Sequence, residues 1–395
     1  KAREQDLIDV MVDEYGGASA FVEMIMPYSI DDFKEMAGVV KDFDFEPKAG
    51  HSKVRLQAAG VVGIIIPWNM SNGFICTKVA SAIGAGCTVV IKPAELSAQQ
   101  TQVMMECIHA AGIPKGVVNI LHGTGPVVGN ELTVNPDVNK ISFTGSTGVG
   151  KTIAKGAADT MKRVTLELGG KSPNIILDDA DFADAIPKAI FAAYLNSGQA
   201  CAAATRLLVP AKRLDEVNAI AKATIEQAVK VGDPKDKSVN IGPMVSRKQW
   251  ETIQGYIHSG IEQGATLLSG GLGKPEGLEA GNFVKPTIFT NVNNKMRIAQ
   301  EEIFGPVLCI IPYEDDADAT KIANDTPYGL CSYITSADKN RAYELAKHID
   351  AGRVCINNVL HDPLAPFGGF KQSGVGREYG VFGLEAFLEP KAVIG

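Results

Sequence analysis

Between Val61 and Gly170 short β-branched runs recur with longer amphipathic stretches between them, and this alternation constrains the fold more than any other feature. The runs are Val61–Ile66, Thr88–Ile91, Val117–Leu121, Lys140–Phe143 and Arg163–Leu168. They are nearly continuous in apolar residues rather than alternating. Strands buried on both faces belong to a parallel sheet covered by helices on each side. Ser97–Ala111 and Val149–Met161 supply helix formers with one apolar face. Gly and Pro punctuate the joins, as in Pro114-Lys115-Gly116 and Gly123-Thr124-Gly125-Pro126.

A second series follows the first. Asn174–Leu177, Arg206–Val209, Val307–Pro312, Leu330–Thr335 and Arg353–Ile356 read as strands. Ala180–Leu195, Leu214–Val229, Arg247–Gln263, Ala317–Asn324 and Asn340–Ile349 read as helices, and Ser269–Gly281 as a Gly-rich surface loop. The expected fold is therefore α/β, with two doubly wound domains. Two short alternating segments, Phe43–Lys48 and Leu388–Val393, fit neither domain. They read as strands that pair with each other or with another subunit.

Composition narrows the function. The chain has 395 residues, 38 Lys+Arg against 45 Asp+Glu, and a net charge of −7. That balance argues against a nucleic-acid binder or a protein held on anionic membranes, both of which carry basic patches. The longest apolar run, Val61–Pro67, is too short to cross a bilayer. The seven cysteines are odd in number and widely spaced, with no CxxC, so neither a disulfide framework nor a zinc site is expected. The six histidines form no close pair, and no metal is expected. A reducing, cytoplasmic compartment is the default. No signal peptide is visible, and the chain begins at Lys1 inside a helical pattern, so its true N-terminus is expected to lie upstream.

One motif misleads. Gly145-Ser146-Thr147-Gly148-Val149-Gly150-Lys151-Thr152 matches a phosphate-binding P-loop, after a strand and opening a helix. It lies at the fourth strand of its sheet, and no apolar strand ending in a magnesium-binding Asp follows. A turn that binds the phosphates of a different nucleotide fits better. Gly123–Gly129 comes close to a dinucleotide fingerprint but has one residue too many.

Five strings occur in order: Pro67-Trp68-Asn69, Glu167-Leu168-Gly169-Gly170-Lys171, Gly198-Gln199-Ala200-Cys201, Glu301-Glu302-Ile303-Phe304-Gly305-Pro306 and Pro366-Phe367-Gly368-Gly369-Phe370-Lys371-Gln372-Ser373-Gly374. Together, over essentially the whole chain, they resemble the aldehyde dehydrogenase superfamily of the hydrolytic, NAD(P)-dependent type. The resemblance implies an NAD-binding domain over residues 1–42 and 58–169, with its N-terminal part missing, and a catalytic domain over 170–373. It also implies an oligomerisation arm over 43–57 and 374–395, in a homodimer or homotetramer.

The resemblance implies roles for single residues. Cys201 matches the nucleophile, and a thiol is strongly nucleophilic once ionised. The other cysteines, Cys76, Cys87, Cys107, Cys309, Cys331 and Cys355, read as core. Asn69 matches the oxyanion donor and Glu167 the general base, a residue that coenzyme A-acylating branches lack. Lys78 and Glu378 match positions that relay the proton, though alone each reads equally as a surface charge. Trp68, Lys92, Glu95, Gly125, Ser146, Gly169, Glu302 and Phe304 match cofactor positions. The acidic Glu95 favours NAD over NADP, because it accepts from ribose hydroxyls and repels a 2′-phosphate. Met70, Phe74, Leu360 and Phe367 suggest an apolar substrate tunnel. Met70-Ser71 after the first string, Ala202 and the segment 357–362 depart from the common pattern and leave the aldehyde unnamed. The expected activity is oxidation of an aldehyde to a carboxylic acid through a thiohemiacetal and a thioester. Rival readings are a coenzyme A-acylating or semialdehyde-specific dehydrogenase, a P-loop NTPase and a non-catalytic binding protein.

Overall fold

The computed structural model describes residues 1–357 and 361–395. Two helices, Glu4–Tyr15 and Ser19–Asp42, lead into a short hairpin, β1 (Lys48–Ala49) and β2 (Ser52–Ala58). Then come β3 (Val61–Ile65), β4 (Thr88–Lys92), β5 (Val118–Ile120), β6 (Lys140–Thr144) and β7 (Arg163–Glu167). The second series is β8 (Pro173–Ile176), β9 (Arg206–Pro210), β10 (Thr266–Ser269), β11 (Thr287–Thr290), β12 (Val307–Tyr313), β13 (Cys331–Thr335) and β14 (Arg353–Ile356). β15 (Gly374–Val375) and β16 (Leu388–Val393) close the chain.

These strands form three sheets among the described residues. The six-stranded sheet runs β15-β7-β6-β3-β4-β5, parallel except for β15. Its chain order reverses between β3 and β6, so a crevice opens at their carboxyl ends, where open α/β sheets bind ligands. The seven-stranded sheet runs β10-β11-β12-β9-β8-β13-β14, parallel except for β10. Its strands β8, β9, β11 and most of β12 are wholly buried, as a parallel sheet covered on both faces requires.

The two doubly wound sheets follow the sequence closely, but three points correct it. β10 and β11 were missed. They are four residues long and rich in Thr and Ser, too short for a clear period. Phe43–Lys48 is not a strand along its length; only Lys48 joins β1. The Asp44 carboxylate accepts the Glu46 N–H in a local turn, and Pro47 has no N–H to give to a ladder. The strand that pairs with Leu388–Val393 is instead Ser52–Ala58. Finally, residues 374–395 do not lie wholly in the arm, because β15 joins the six-stranded sheet beside β7.

Candidate active site

Every polar string of the sequence converges at the crevice. Pro67-Trp68-Asn69 leaves the carboxyl end of β3, Lys92 ends β4, Gly145-Ser146 leaves β6, and Glu167 ends β7. A cleft of about 290 Å³ is lined by Trp68, Asn69, Glu167, Cys201, Glu302 and Phe304, together with Phe74, Ser146 and Gly169. Cys201 enters it from the loop before β9.

The loop that carries Cys201 is held from several sides. Asn196, Ser197 and Gly198 all have positive φ, a tight reversal that Gly198 (φ +74°) adopts without strain. The Asn196 amide donates to the carbonyls of Asn69 (3.1 Å) and Gln199 (3.2 Å). The Ser197 hydroxyl accepts the Gly242 N–H, and the Gln199 side chain accepts the Val245 N–H, both at 3.0 Å. Tyr333 donates to the Ala202 carbonyl at 2.9 Å. The glycine pair after Glu167 has a packing reason. A Cβ on Gly169 would lie 2.4 Å from the Glu302 carboxylate, and one on Gly170 would lie 2.4 Å from the carbonyl oxygen of Cys201. Only bare backbone lets the two domain edges close on each other.

Asn69 is buried, and its side-chain N–H₂ donates to the Gln199 carbonyl at 2.9 Å. That bond fixes the amide plane beside Cys201 and leaves its second N–H for another acceptor. Glu167 is buried, and neither carboxyl oxygen has a hydrogen-bond partner. Its carboxyl lies against Gly368. Burial first, then repulsion from Glu378, drives its pKa well above the ordinary range, against the pull of Lys78, Arg377 and Arg353. Burial, with Glu302 and Glu167 nearby, pushes the Cys201 thiol up to about 12. Burial likewise pushes Glu302 up to about 7, opposed by the Gly170 N–H and by Lys171.

Lys78 and Glu378 are not the surface charges that each resembles alone. They form a buried ion pair, and the Lys78 ammonium also donates to Ser142 at 3.2 Å.

The cofactor-type residues lie on the other flank. Lys92 is buried and pairs with Glu95 at 3.1 Å, and Glu95 accepts the Gly125 N–H at 2.9 Å. Burial opposes ionisation of Glu95. Its own N–H, Lys92 and the Gly125 N–H outweigh that and hold the carboxyl below its usual range. Ser146 caps the helix Thr147–Ala158, and added Cβ atoms at Gly125 and Gly148 would meet nothing, so the first turn of that helix is open. Glu302 receives the Gly170 N–H at 3.1 Å. Phe304, at a positive φ of +58°, stands edge-on to Trp68 with ring centres 5.9 Å apart. Gln249, which no sequence pattern singles out, lines the cleft and donates to the carbonyls of Ile303 (3.1 Å) and Phe304 (3.0 Å). It sets the strained turn that aims Phe304.

The expected substrate tunnel is only partly assembled. Phe74 lines the cleft. Met70 is not in its lining and, half-buried, packs against the same apolar core as Phe74 and Trp68. Phe367 stacks edge-on to Tyr379 at 6.1 Å, with the Arg353 guanidinium 4.9 Å from its ring. Leu360 lies outside the described residues. Five of the six remaining cysteines are buried as expected, whereas Cys107 is half-buried. Lys151, the P-loop lysine by motif, reaches sideways to the Gln372 side chain at 2.8 Å. Among the described residues no helix is long and apolar enough to cross a membrane, and no group of three or more His, Cys, Asp or Glu could hold a metal.

The model of the aldehyde dehydrogenase family matches residues 1–393. The chain belongs to the aldehyde dehydrogenase family. It is an enzyme, an oxidoreductase of the aldehyde group, and the NTPase and binding-protein readings fall away. A 3-succinoylsemialdehyde-pyridine dehydrogenase of a Pseudomonas species is 48% identical over 93% of this chain and 77% of its own length. A putative aldehyde dehydrogenase of Staphylococcus saprophyticus is 46% identical over 100% of this chain and 83% of its own. Among solved structures, a cysteine-to-alanine mutant of aldehyde dehydrogenase C from Pseudomonas syringae, complexed with NAD⁺ and octanal, superposes with a TM-score of 0.97 at 44% identity. That match covers 100% of this chain and 81% of the other. A Mycobacterium tuberculosis aldehyde dehydrogenase complexed with NAD⁺ also scores 0.97, at 41% identity, covering 100% of this chain and 82% of the other.

Proposed function

We propose that this enzyme oxidises an aldehyde to the free carboxylic acid with NAD, using Cys201 as nucleophile and Glu167 as the base for hydrolysis. The observation that carries the reading is the shared cleft. One wall is a half-buried thiol beside an oriented amide and a carboxyl without partners; the other is the N-terminus of the helix Thr147–Ala158, with Glu302 and Phe304 beside it. The second wall fits a dinucleotide. The open turn at Ser146 suits a pyrophosphate, Glu95 suits ribose hydroxyls, and Glu302 with Phe304 suits the ribose and ring at the reacting end. Bound there, NAD supplies the hydride acceptor.

The chain's own residues do the rest. The Cys201 sulfur attacks the aldehyde carbon, its proton passing to a neighbouring carboxylate. The free N–H of Asn69 and the N–H of Cys201 hold the oxygen of the adduct as it gains charge. After hydride loss a thioester remains on Cys201. Ionised Glu167 then takes a proton from water, the new C–O bond forms, and the C–S bond breaks to release the acid, the Cys201 thiolate taking back the proton it gave to the neighbouring carboxylate. Lys78 and Glu378 pass that proton on from Glu167. Glu167 also argues against transfer to coenzyme A, since that branch has no need of a base for water.

Residues 1–42 and 58–169 would then form the NAD-binding domain and 170–373 the catalytic domain. The sheet β1-β2-β16 would form the core of an arm. β16 is an edge of that sheet with Val393 exposed, and exposed edges are normally paired or covered. A homodimer or homotetramer follows from this. Seven unpaired cysteines accord with a reducing, cytoplasmic setting.

The test is a panel of aldehydes of varied length and charge, with NAD and with NADP, in the absence of coenzyme A. Reduced nicotinamide and free acid should appear in equal amounts, faster with NAD. Dependence of acid release on coenzyme A would overturn the hydrolytic reading.

A further inference from the structure

Beyond the Lys78–Glu378 pair the structure holds a second buried polar cluster that no step above uses. Asp32, on the helix Ser19–Asp42, is buried, and its carboxylate accepts the Thr77 hydroxyl at 2.6 Å. That hydroxyl lies 3.4 Å from the hydroxyl of Tyr379. Thr77 is the chain neighbour of Lys78, and Tyr379 is the chain neighbour of Glu378. Two dipeptides from distant parts of the sequence thus run side by side. One layer holds the ion pair next to Glu167; the next holds two hydroxyls and a carboxyl. Tyr379 keeps this register at a positive φ of +68°, an unusual conformation for a bulky residue. Asp32, Glu35, Thr77, Ser81 and Tyr379 line a pocket with space of about 10 Å³, close to the roughly 10–15 Å³ that one water requires. Half-exposed Glu35 stands at its rim.

We propose that Asp32, with Thr77 and Tyr379, is the solvent-side end of the path by which Glu167 discharges the proton of hydrolysis. The proposal rests on the base role of Glu167 given above. Each turnover leaves one proton on Glu167. It passes to the Lys78–Glu378 pair, then across the adjoining layer to Asp32, and from Asp32 to water in the pocket and on to bulk. Only a proton moves, and every carboxyl returns to its starting state. The titratable and charged groups around Asp32 are Asp31 and Glu35 on its own helix, Cys76 on the helix Ser71–Gly84, and Glu378 and Tyr379. Burial above all, then Glu378 and Asp31, raise the Asp32 carboxyl to about 7 against the Thr77 hydrogen bond. A group poised there both accepts and releases a proton near neutrality.

The experiment compares pre-steady-state and steady-state NADH formation in Asp32→Asn, Thr77→Val and Thr77→Ser across pH. In Asp32→Asn and Thr77→Val the first burst of NADH should keep its rate and amplitude. Steady turnover should fall roughly tenfold, less than the roughly hundredfold at which direct general acid–base effects begin, and its acidic limb should move. Thr77→Ser keeps the hydroxyl and should behave as wild type. Formate or acetate should restore steady turnover to Asp32→Ala in proportion to concentration, with no effect on wild type. An unchanged steady rate and pH profile would overturn the proposal, as would burst and steady rate falling together or absence of rescue. If Asp32→Asn does not fold, the Thr77→Val and Thr77→Ser pair decides the matter. A wild-type chain that forms no NADH would remove the proposal and the reading beneath it together.

Discussion

Arg206 and Glu167 are both charged side chains deep in the interior, 0% and 3% exposed, yet their surroundings are opposite. All three nitrogens of the Arg206 guanidinium donate. It donates to the carbonyls of Lys171 (3.0 Å), Ile322 (2.8 Å) and Ala323 (2.7 Å) and to the Asn294 amide (3.0 Å). Glu167 has no hydrogen bond to either oxygen. A buried charge with a hydrogen bond on every nitrogen is architecture; here it ties the loop after Glu167 to the helix Asp316–Asn324. A buried carboxyl with none is costly unless something else arrives to use it. The contrast supports giving Glu167, and not Arg206, a part in the proposed chemistry.

That contrast can be broken at several points. The largest effect is expected at Cys201. Cys201→Ser should cut turnover by more than about 10³-fold while NAD affinity, read by fluorescence titration, stays near wild type. Retained turnover would place the nucleophile elsewhere. Asn69→Ala should cost about a hundredfold to a thousandfold in kcat, the usual loss for one oxyanion donor. A change confined to KM would make Asn69 a mere prop for the Cys201 loop. On the architectural side, Arg206→Met leaves buried acceptors bare, each at about 1–3 kcal/mol. Denaturant unfolding should show the loss, while kcat per folded active site stays within about twofold. A specific kcat collapse there would erase the distinction between the two charges. The smallest effect is expected at Lys151, which meets Gln372 rather than a phosphate site. Lys151→Ala should change the KM for NAD by less than about threefold.

The acidic limb of steady turnover sharpens the same point. Glu167 acts as base only when ionised, and its pKa is raised by burial. Activity should therefore be lost as pH falls through a value above that of an ordinary carboxylate, about 4.3. A limb at the ordinary value would mean that Glu167 is solvated in the working enzyme.

What the sequence disclosed follows a physical rule. Local patterns were legible. The β-branched runs located most strands of both large sheets, and the glycine-rich strings marked close approaches such as Gly169 to Glu302. Partnerships between distant residues were not. Lys78 and Glu378 are separated by 300 positions, and each reads as a surface charge until its partner is seen. Arg206 sits in an ordinary strand pattern, and its four acceptors come from three distant segments. Asp32, in a charged stretch of helix, gives no local sign of burial. β10 and β11 failed for a different reason, because four residues carry too little periodicity.

The most direct test of the central claim is rapid-mixing kinetics on Glu167→Gln. The account predicts a burst of NADH close to one per active site, followed by collapsed steady turnover, with acyl-enzyme accumulating on Cys201. Thioester formation should survive because hydrolysis alone needs the base at Glu167. Wild-type steady turnover in this variant, or steady turnover lost with no acyl-enzyme on Cys201, would contradict it.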